Sequence, residues 1–156
     1  MLETYQTRLT NALVWTAGAA FAASWFLPVL TDVPGWMAFR FALAPLVPYS
    51  DAGNLTWDDS IPQVLSALTN LVFVILFALW VTKQSVRPGL LVRITLACFV
   101  LNFYWFVRAW REHGLNDLRV GYYVWEAAFA LLLGVAVIIV VANRRTSTTP
   151  TAGRPS

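Results

Sequence analysis

The hydrophobic pattern of the chain consists of four long apolar segments separated by short polar or proline-rich stretches. The segments cover about residues 9–30, 61–82, 90–110 and 120–142. About 20 apolar residues in a helix cross the hydrocarbon core of a bilayer, and each segment reaches that length. We therefore predict an all-α integral membrane protein, a four-transmembrane-helix bundle formed by residues 1–145. A polar tail at 146–156, rich in Thr and Pro, is predicted to be disordered.

Polar and small residues recur at spacings of three and four within three of these segments. This is the period of helices packed in a left-handed bundle, so these stripes are expected to face the bundle interior. The stripes are Asn11, Trp15, Gly18, Ala22 and Trp25; Gln63, Ser66, Asn70, Phe73 and Phe77; and Thr95, Cys98, Asn102, Trp105 and Ala109.

Two further features concern the first and second segments. The first apolar run is longer than the 7–15 residues of a signal-peptide core, which favours a retained span over a cleaved signal peptide. Ser60 and Gln63 have capping-box spacing, which predicts that the second helix starts there.

The connection between the first two segments, residues 31–60, is interrupted by Pro34, Pro45 and Pro48. Its middle, WMAFRFALAPL, is too apolar for a solvated loop. We expect an interfacial or short-helical segment there. A lid or a partner-docking surface is the functional alternative.

The distribution of basic residues predicts the topology. Lys83, Arg87 and Arg93 lie near the second turn, and Arg144, Arg145 and Arg154 follow the last segment. The positive-inside rule therefore places both termini in the cytoplasm and residues 31–60 outside. Arg108, Arg111 and Arg119 near the third turn are a local signal in the opposite direction.

Composition excludes several classes of protein. The chain is 58% hydrophobic and 12% charged, whereas a soluble domain carries about 25% charged residues. One cysteine and one histidine leave no internal disulfide, no metal-ligand cluster and no pair of haem ligands. No catalytic or phosphate-binding motif is present, and no cofactor is indicated. Because the basic residues lie mainly at segment ends, a nucleic-acid surface is not indicated.

Three polar side chains are predicted to lie at one depth. Asn70, Asn102 and Glu126 each lie roughly 9–12 Å below the outer boundary, at 1.5 Å per residue. Glu126 shares its side of the fourth helix with the small residues Ala130 and Gly134, which are expected to meet another helix. Arg108 is the expected cationic partner of Glu126, with Arg111 second. Trp105, Tyr122 and Trp125 complete the candidate site.

Simpler interpretations stand beside a ligand pocket. The polar side chains can bond one another and fix helix register, and aromatic residues near a membrane interface can be a plain aromatic belt. A Trp/Tyr cage beside a carboxylate would instead suit an organic cation.

We expect a non-enzymatic membrane protein that binds a partner protein, or a second copy of itself, within or at the outer face of the bilayer. It would be an accessory subunit or a protective, immunity-type protein of a cell membrane, expected to be a bacterial inner membrane. The alternative is a small oligomeric transporter or channel that uses Glu126. A lipid-directed enzyme is least favoured, because His113, Glu112, Asp117 and Glu126 are its only acid–base candidates near that face.

Overall fold

A computed structural model describes residues 2–46, 57–84, 86–112 and 115–147, with side chains given for 7–46, 60–84, 86–112 and 115–144. The described elements are helical apart from one small hairpin. In chain order they are α1 (Leu2–Ser24), β1 (Pro28–Leu30), β2 (Val33–Pro34), α2 (Gly35–Ala42), α3 (Trp57–Val81), α4 (Pro88–Glu112), a 3₁₀ turn (Leu115–Asp117) and α5 (Val120–Ser147).

Three of the helices have the length and apolarity of membrane-spanning segments. The stretches concerned are Ser60–Val81 in α3, Pro88–Glu112 in α4 and Val120–Arg144 in α5. The prediction of several apolar helices that could cross a membrane is confirmed for these three, whereas the predicted count of four is not confirmed among the described residues. The helix α5 continues through Ser147, two residues into the predicted tail, and residues 148–156 lie outside the described part of the chain.

The first helix differs from the expected span over 9–30. The helix α1 ends at Ser24, whose hydroxyl donates to the Phe21 carbonyl at 2.7 Å. Pro28 then lacks a backbone N–H and restricts the residue before it, which disfavours a continued helix. Residues 28–30 instead form β1, which pairs antiparallel with β2.

The helix α1 packs most extensively on α5. Its buried residues recur at helical spacing and belong to the main apolar core: Val14, Ala17 and Phe21. The polar stripe predicted for this helix contacts α3 instead. Trp15 meets the Phe77 ring edge-on at 5.5 Å between centroids, and Asn11 Oδ1 accepts the indole N–H of Trp80 at 3.2 Å.

The stripes of α3 and α4 bury as their periods predict. Thr95, Cys98 and Asn102 are the buried residues of α4, and Ser66 and Phe73 are buried on α3. The start of α3 differs from the expectation, however. The helix begins at Trp57, so Ser60 lies inside it rather than at its cap. Pro62 lies in the second turn of this helix, where its missing N–H removes one intrahelical bond.

The connection after α1 contains the short helix that its apolar middle predicts, namely α2. Residues 47–56 of the same connection lie outside the described residues. The lid or docking role considered for this connection stays a hypothesis.

Backbone hydrogen bonds join the hairpin to the turn between α4 and α5. The Thr31 N–H donates to the Asp117 carbonyl at 3.1 Å, and the Arg119 N–H donates to the Val29 carbonyl at 3.0 Å. Leu30 and Leu118 form an isolated antiparallel bridge. We call the hairpin residues 28–34 together with residues 115–119 the cap, and it closes one end of the bundle.

Candidate functional site

Asn102 is the centre of a polar layer that joins α3, α4 and α5. Its side chain is fully buried on α4. The amide oxygen Oδ1 accepts the hydroxyl of Ser66 on α3 at 3.2 Å. The Thr69 hydroxyl lies 3.0 Å from the same oxygen and 2.6 Å from the Ser66 carbonyl, so these two acceptors share its single hydrogen. The backbone carbonyl of Asn102 accepts the hydroxyl of Tyr122 on α5 at 3.0 Å. One residue thus holds three helices in register by hydrogen bonds.

Asn70 makes a second link between α3 and α5. Its Oδ1 accepts the indole N–H of Trp125 at 2.8 Å. Its Nδ2 donates to the Ala67 carbonyl at 3.3 Å and lies 3.5 Å from that of Ser66. Four of the predicted site residues, namely Asn70, Asn102, Tyr122 and Trp125, are therefore brought together, and their polar atoms are largely engaged in helix–helix bonds.

An aromatic cluster lies directly beside this layer. The rings of Phe21 and Phe73 stack at 4.1 Å between centroids. Phe129 meets Phe73 edge-on at 5.2 Å and Trp125 at 5.6 Å. Because these rings fill the space among α1, α3 and α5, the polar layer borders a packed apolar core rather than an open channel at this level.

Glu126 lies one helical turn beyond Tyr122 on α5. Both of its carboxylate oxygens are shielded from solvent, and neither has a hydrogen-bond partner among the described residues. The amide nitrogen Nδ2 of Asn102 is in the same situation. A buried polar group without a partner is costly, and an ionisable one inside a membrane span is a functional candidate by default.

The expected pairing of Arg108 with Glu126 is not formed. The Nε–H of Arg108 donates to Glu112, with distances of 3.1 and 3.0 Å to the two carboxylate oxygens. The Arg108 guanidinium also lies 5.7 Å from the ring centroid of Trp105. The reason is local: Glu112 is one turn away on the same helix, a spacing at which side chains meet directly. Arg108, Glu112 and Trp105 thus form a separate cluster near the end of α4, held by an ion pair and a cation–π contact.

The side of α5 that carries Ala130 and Gly134 does not meet another helix, contrary to expectation. Ala130 is exposed, and a Cβ added at Gly134 would have no neighbour within 4 Å. The neighbouring helices pack instead on another side of α5, which carries both small and large buried residues, among them Ala128, Phe129 and Leu132. Glu126 lies at the edge between the packed and open sides.

Sequence reasoning did not assign Thr69 to the site, nor the backbone carbonyl of Asn102. A signal for Thr69 was present, because Thr69 and Asn70 follow Ser66 by three and four residues and so share its side of the helix. A backbone carbonyl that accepts a hydrogen bond leaves no pattern of side chains in the sequence. The bond from Tyr122 could therefore be identified only from the structure.

Three of the acid–base groups considered for an enzyme, Glu112, Asp117 and Glu126, lie in the described part of the chain. Glu112 is paired with Arg108, Asp117 is exposed in the cap, and His113 lies outside the described residues. Within the described part of the chain, no group of three or more His, Cys, Asp and Glu side chains could hold a metal ion. Comparisons with protein-family models, with curated proteins and with solved structures find no match to this chain.

Proposed function

We propose that the chain is a four-span membrane protein with both termini in the cytoplasm, in which α1 is a span in addition to α3, α4 and α5. The apolar part of α1, residues 9–24, is about 24 Å long, and the apolar residues 25–30 that follow extend it toward a hydrocarbon core of about 30 Å. Its long contact with the apolar helix α5 supports the same placement. The basic residues Arg8, Lys83, Arg87 and Arg144 gather at the end opposite the cap, which favours a cytoplasmic position for that end.

The function that the geometry supports best is binding of a partner protein at the outer face, without catalysis. The observation that carries this proposal is Phe26, which is 81% exposed in the turn leading to the cap. Trp and Tyr are favoured at a membrane interface because they combine a ring with a polar tip. Phe has no polar tip, so an aromatic belt does not account for this position.

The neighbourhood of Phe26 supports a docking surface. Trp36 and Phe41 on α2 and Leu46 just after it are also exposed. The backbone beneath them is fixed, since the Gly35 N–H donates to the Leu27 carbonyl and the Trp36 N–H donates to the Trp25 carbonyl. Apolar side chains on a pre-ordered backbone lose little entropy on binding, which favours association. The partner is a membrane protein or a second copy of the chain, in a cell membrane that we take to be a bacterial inner membrane.

Site-specific photo-crosslinking in native membranes tests this proposal. A photoreactive residue replaces Phe26, and a matched control replaces Ile75, which is exposed at mid-span on α3. We expect one stoichiometric protein adduct from position 26 and lipid adducts alone from position 75. Lipid adducts alone at both positions, with a monomer after mild solubilisation, would remove the proposal.

A transporter or channel is the second candidate, and Glu126 favours it. A carboxylate inside a span with no partner among the described residues suits a site that exchanges an ion or proton. In vesicles containing a pH-sensitive dye, this function requires proton flux that Glu126→Gln abolishes and Glu112→Gln preserves. Equal proton flux from the unmodified protein, Glu126→Gln and Glu112→Gln, or no flux above that of empty vesicles, would exclude this candidate.

A further inference from the structure

One end of the bundle carries a concentration of positive charge. Five exposed basic side chains lie where α1 begins, α3 ends, α4 begins and α5 ends: Arg8, Lys83, Arg87, Arg93 and Arg144. Residues 7–12, 78–84, 86–96 and 136–144 at this end contain no Asp or Glu, and Glu3 precedes them in the first turn of α1. Basic residues therefore outnumber acidic residues at this end, and the field there is predominantly positive.

A cleft of about 190 Å³ opens at the same end, between α3, α4 and α5. Its lining is apolar except for Gln84 and the indole of Trp80. The remaining lining residues are Leu76, Leu79, Val86, Leu91 and Ile139. Because the Trp80 N–H already donates to Asn11, that wall offers an aromatic face rather than a free donor. The cleft thus suits hydrocarbon and not a soluble ion.

Lys83 and Arg87 are the sequence neighbours of two residues that line this cleft. Lys83 directly precedes the lining residue Gln84, and Arg87 directly follows the lining residue Val86. Both side chains are exposed. A positive mouth above an apolar cleft is the combination that an anionic amphiphile requires.

The backbone conformation of Lys83 supports a functional role for its positive charge. The α3 helix ends in a Schellman motif, in which the Gln84 N–H donates to the Leu79 carbonyl and the Lys83 N–H to the Trp80 carbonyl. Lys83 occupies the left-handed position with a φ of 54°, where glycine is the usual residue. A lysine there accepts backbone strain but places a cation at the negative end of the helix dipole.

We propose that this end binds an anionic phospholipid. The headgroup phosphate pairs with Lys83 and Arg87, and the first part of one acyl chain enters the cleft among Leu79, Leu91 and Ile139. Charge selects an anionic lipid over a zwitterionic one, and the apolar cleft selects a lipid over free phosphate. This site is at the opposite end from the proposed partner surface and does not depend on it.

The test is a lipid titration of the delipidated full chain in detergent, followed by native mass spectrometry. The probes are dioleoyl phosphatidylglycerol, dioleoyl phosphatidylcholine and inorganic phosphate. We expect the anionic lipid to bind about tenfold more tightly than phosphatidylcholine, with no competition from phosphate. Equal affinity for both lipids, or effective competition by phosphate, would overturn the proposal.

Variants separate the headgroup contact from general charge. Lys83→Gly and Arg87→Gln should each weaken binding of the anionic lipid about fivefold. The matched control is Arg119→Gln in the cap, at the opposite end, which should leave the affinity unchanged. Lys83→Gly should also raise the thermal stability of the lipid-free protein, because glycine relieves the left-handed strain. Weakened lipid binding in a more stable protein cannot be ascribed to misfolding.

The acyl-chain contact is tested by filling the cleft. Ile139→Trp should weaken binding of the anionic lipid, and Leu91→Phe, a smaller addition, serves if the larger one does not fold. Unchanged affinity in a folded cleft variant would contradict the placement of the acyl chain and with it the proposed site.

Discussion

The hydroxyl of Tyr122 on α5 donates to the backbone carbonyl of Asn102 on α4 at 3.0 Å. The carbonyl lies within a helix, and the tyrosine is buried. The bond therefore joins two spans at a position where neither group meets water. It also fixes the level of Glu126, which follows Tyr122 by one turn of α5.

Tyr122→Phe should destabilise the protein by about 0.6–1.5 kcal/mol, because it removes one buried bond between helices and nothing else of the ring. The measurement is reversible unfolding in detergent–SDS mixtures. Tyr123→Phe is the matched control, since that ring is exposed and adjacent, and it should change stability by less than about 0.5 kcal/mol. Equal effects of the two substitutions would contradict the structural role of this bond.

Asn102→Ala should destabilise the protein by about 1–3 kcal/mol, because the Ser66 hydroxyl loses its acceptor and the Thr69 hydroxyl loses one of its two. A double-mutant cycle with Thr69→Val should give a coupling energy of about 0.5–2 kcal/mol. The second cycle, Asn102→Ala with Thr95→Val, is the control, because Thr95 donates within its own helix. Purely additive effects in both cycles would show that the layer does not act as a unit.

Glu126→Gln should leave the stability unchanged or raise it, because it removes a charge that has no partner among the described residues. Glu112→Gln breaks the pair with Arg108 on the same helix and should lower stability by only about 0.3–0.5 kcal/mol. Thermal unfolding of both variants in nanodiscs distinguishes them. A strong loss of stability in Glu126→Gln would mean that the carboxylate has a structural partner in the membrane-embedded protein.

Two glycines of α5 should respond in opposite directions to alanine. A Cβ at Gly121 would lie 2.6 Å from the Pro28 carbonyl oxygen and 2.8 Å from that of Leu27. Gly121→Ala should therefore push α5 away from the hairpin and destabilise the protein by about 1–3 kcal/mol.

Gly134→Ala is the paired substitution, because a Cβ there meets nothing within 4 Å. It should stabilise α5 by up to about 1 kcal/mol through helix propensity alone. Unfolding midpoints measured side by side give the comparison. If Gly134→Ala destabilised the protein, the open side of α5 would be in contact with something, such as a second copy.

The sequence predicted those parts of the fold that depend on periodic side chains. The stripe through Thr95, Cys98 and Asn102 buries as expected, because burial in a bundle repeats every three and four residues. The convergence of Asn70 and Asn102 on one layer could be predicted for the same reason. On a regular helix, the depth of a residue and the side of the helix on which it lies follow directly from its residue number.

Features that depend on backbone bonds or on competition between partners could not be predicted. The cap is built from strands of three and two residues, too short for any period to appear. Arg108 had two candidate carboxylates, and the nearer one on its own helix was chosen. The side of α5 at Ala130 and Gly134 resembles a packing face in sequence, but the contact forms on the side with Ala128 and Phe129, where small residues are also buried.

The cap has a consequence for the order in which the protein matures. The Thr31 N–H and the Val29 carbonyl find their partners on Asp117 and Arg119, which the ribosome produces only after α3 and α4. The first helix likewise makes its largest contact with the last one. These backbone bonds and the contact between α1 and α5 can therefore form only after nearly the whole chain has been synthesised, so the cap joins the first and last parts of the chain at the end of folding.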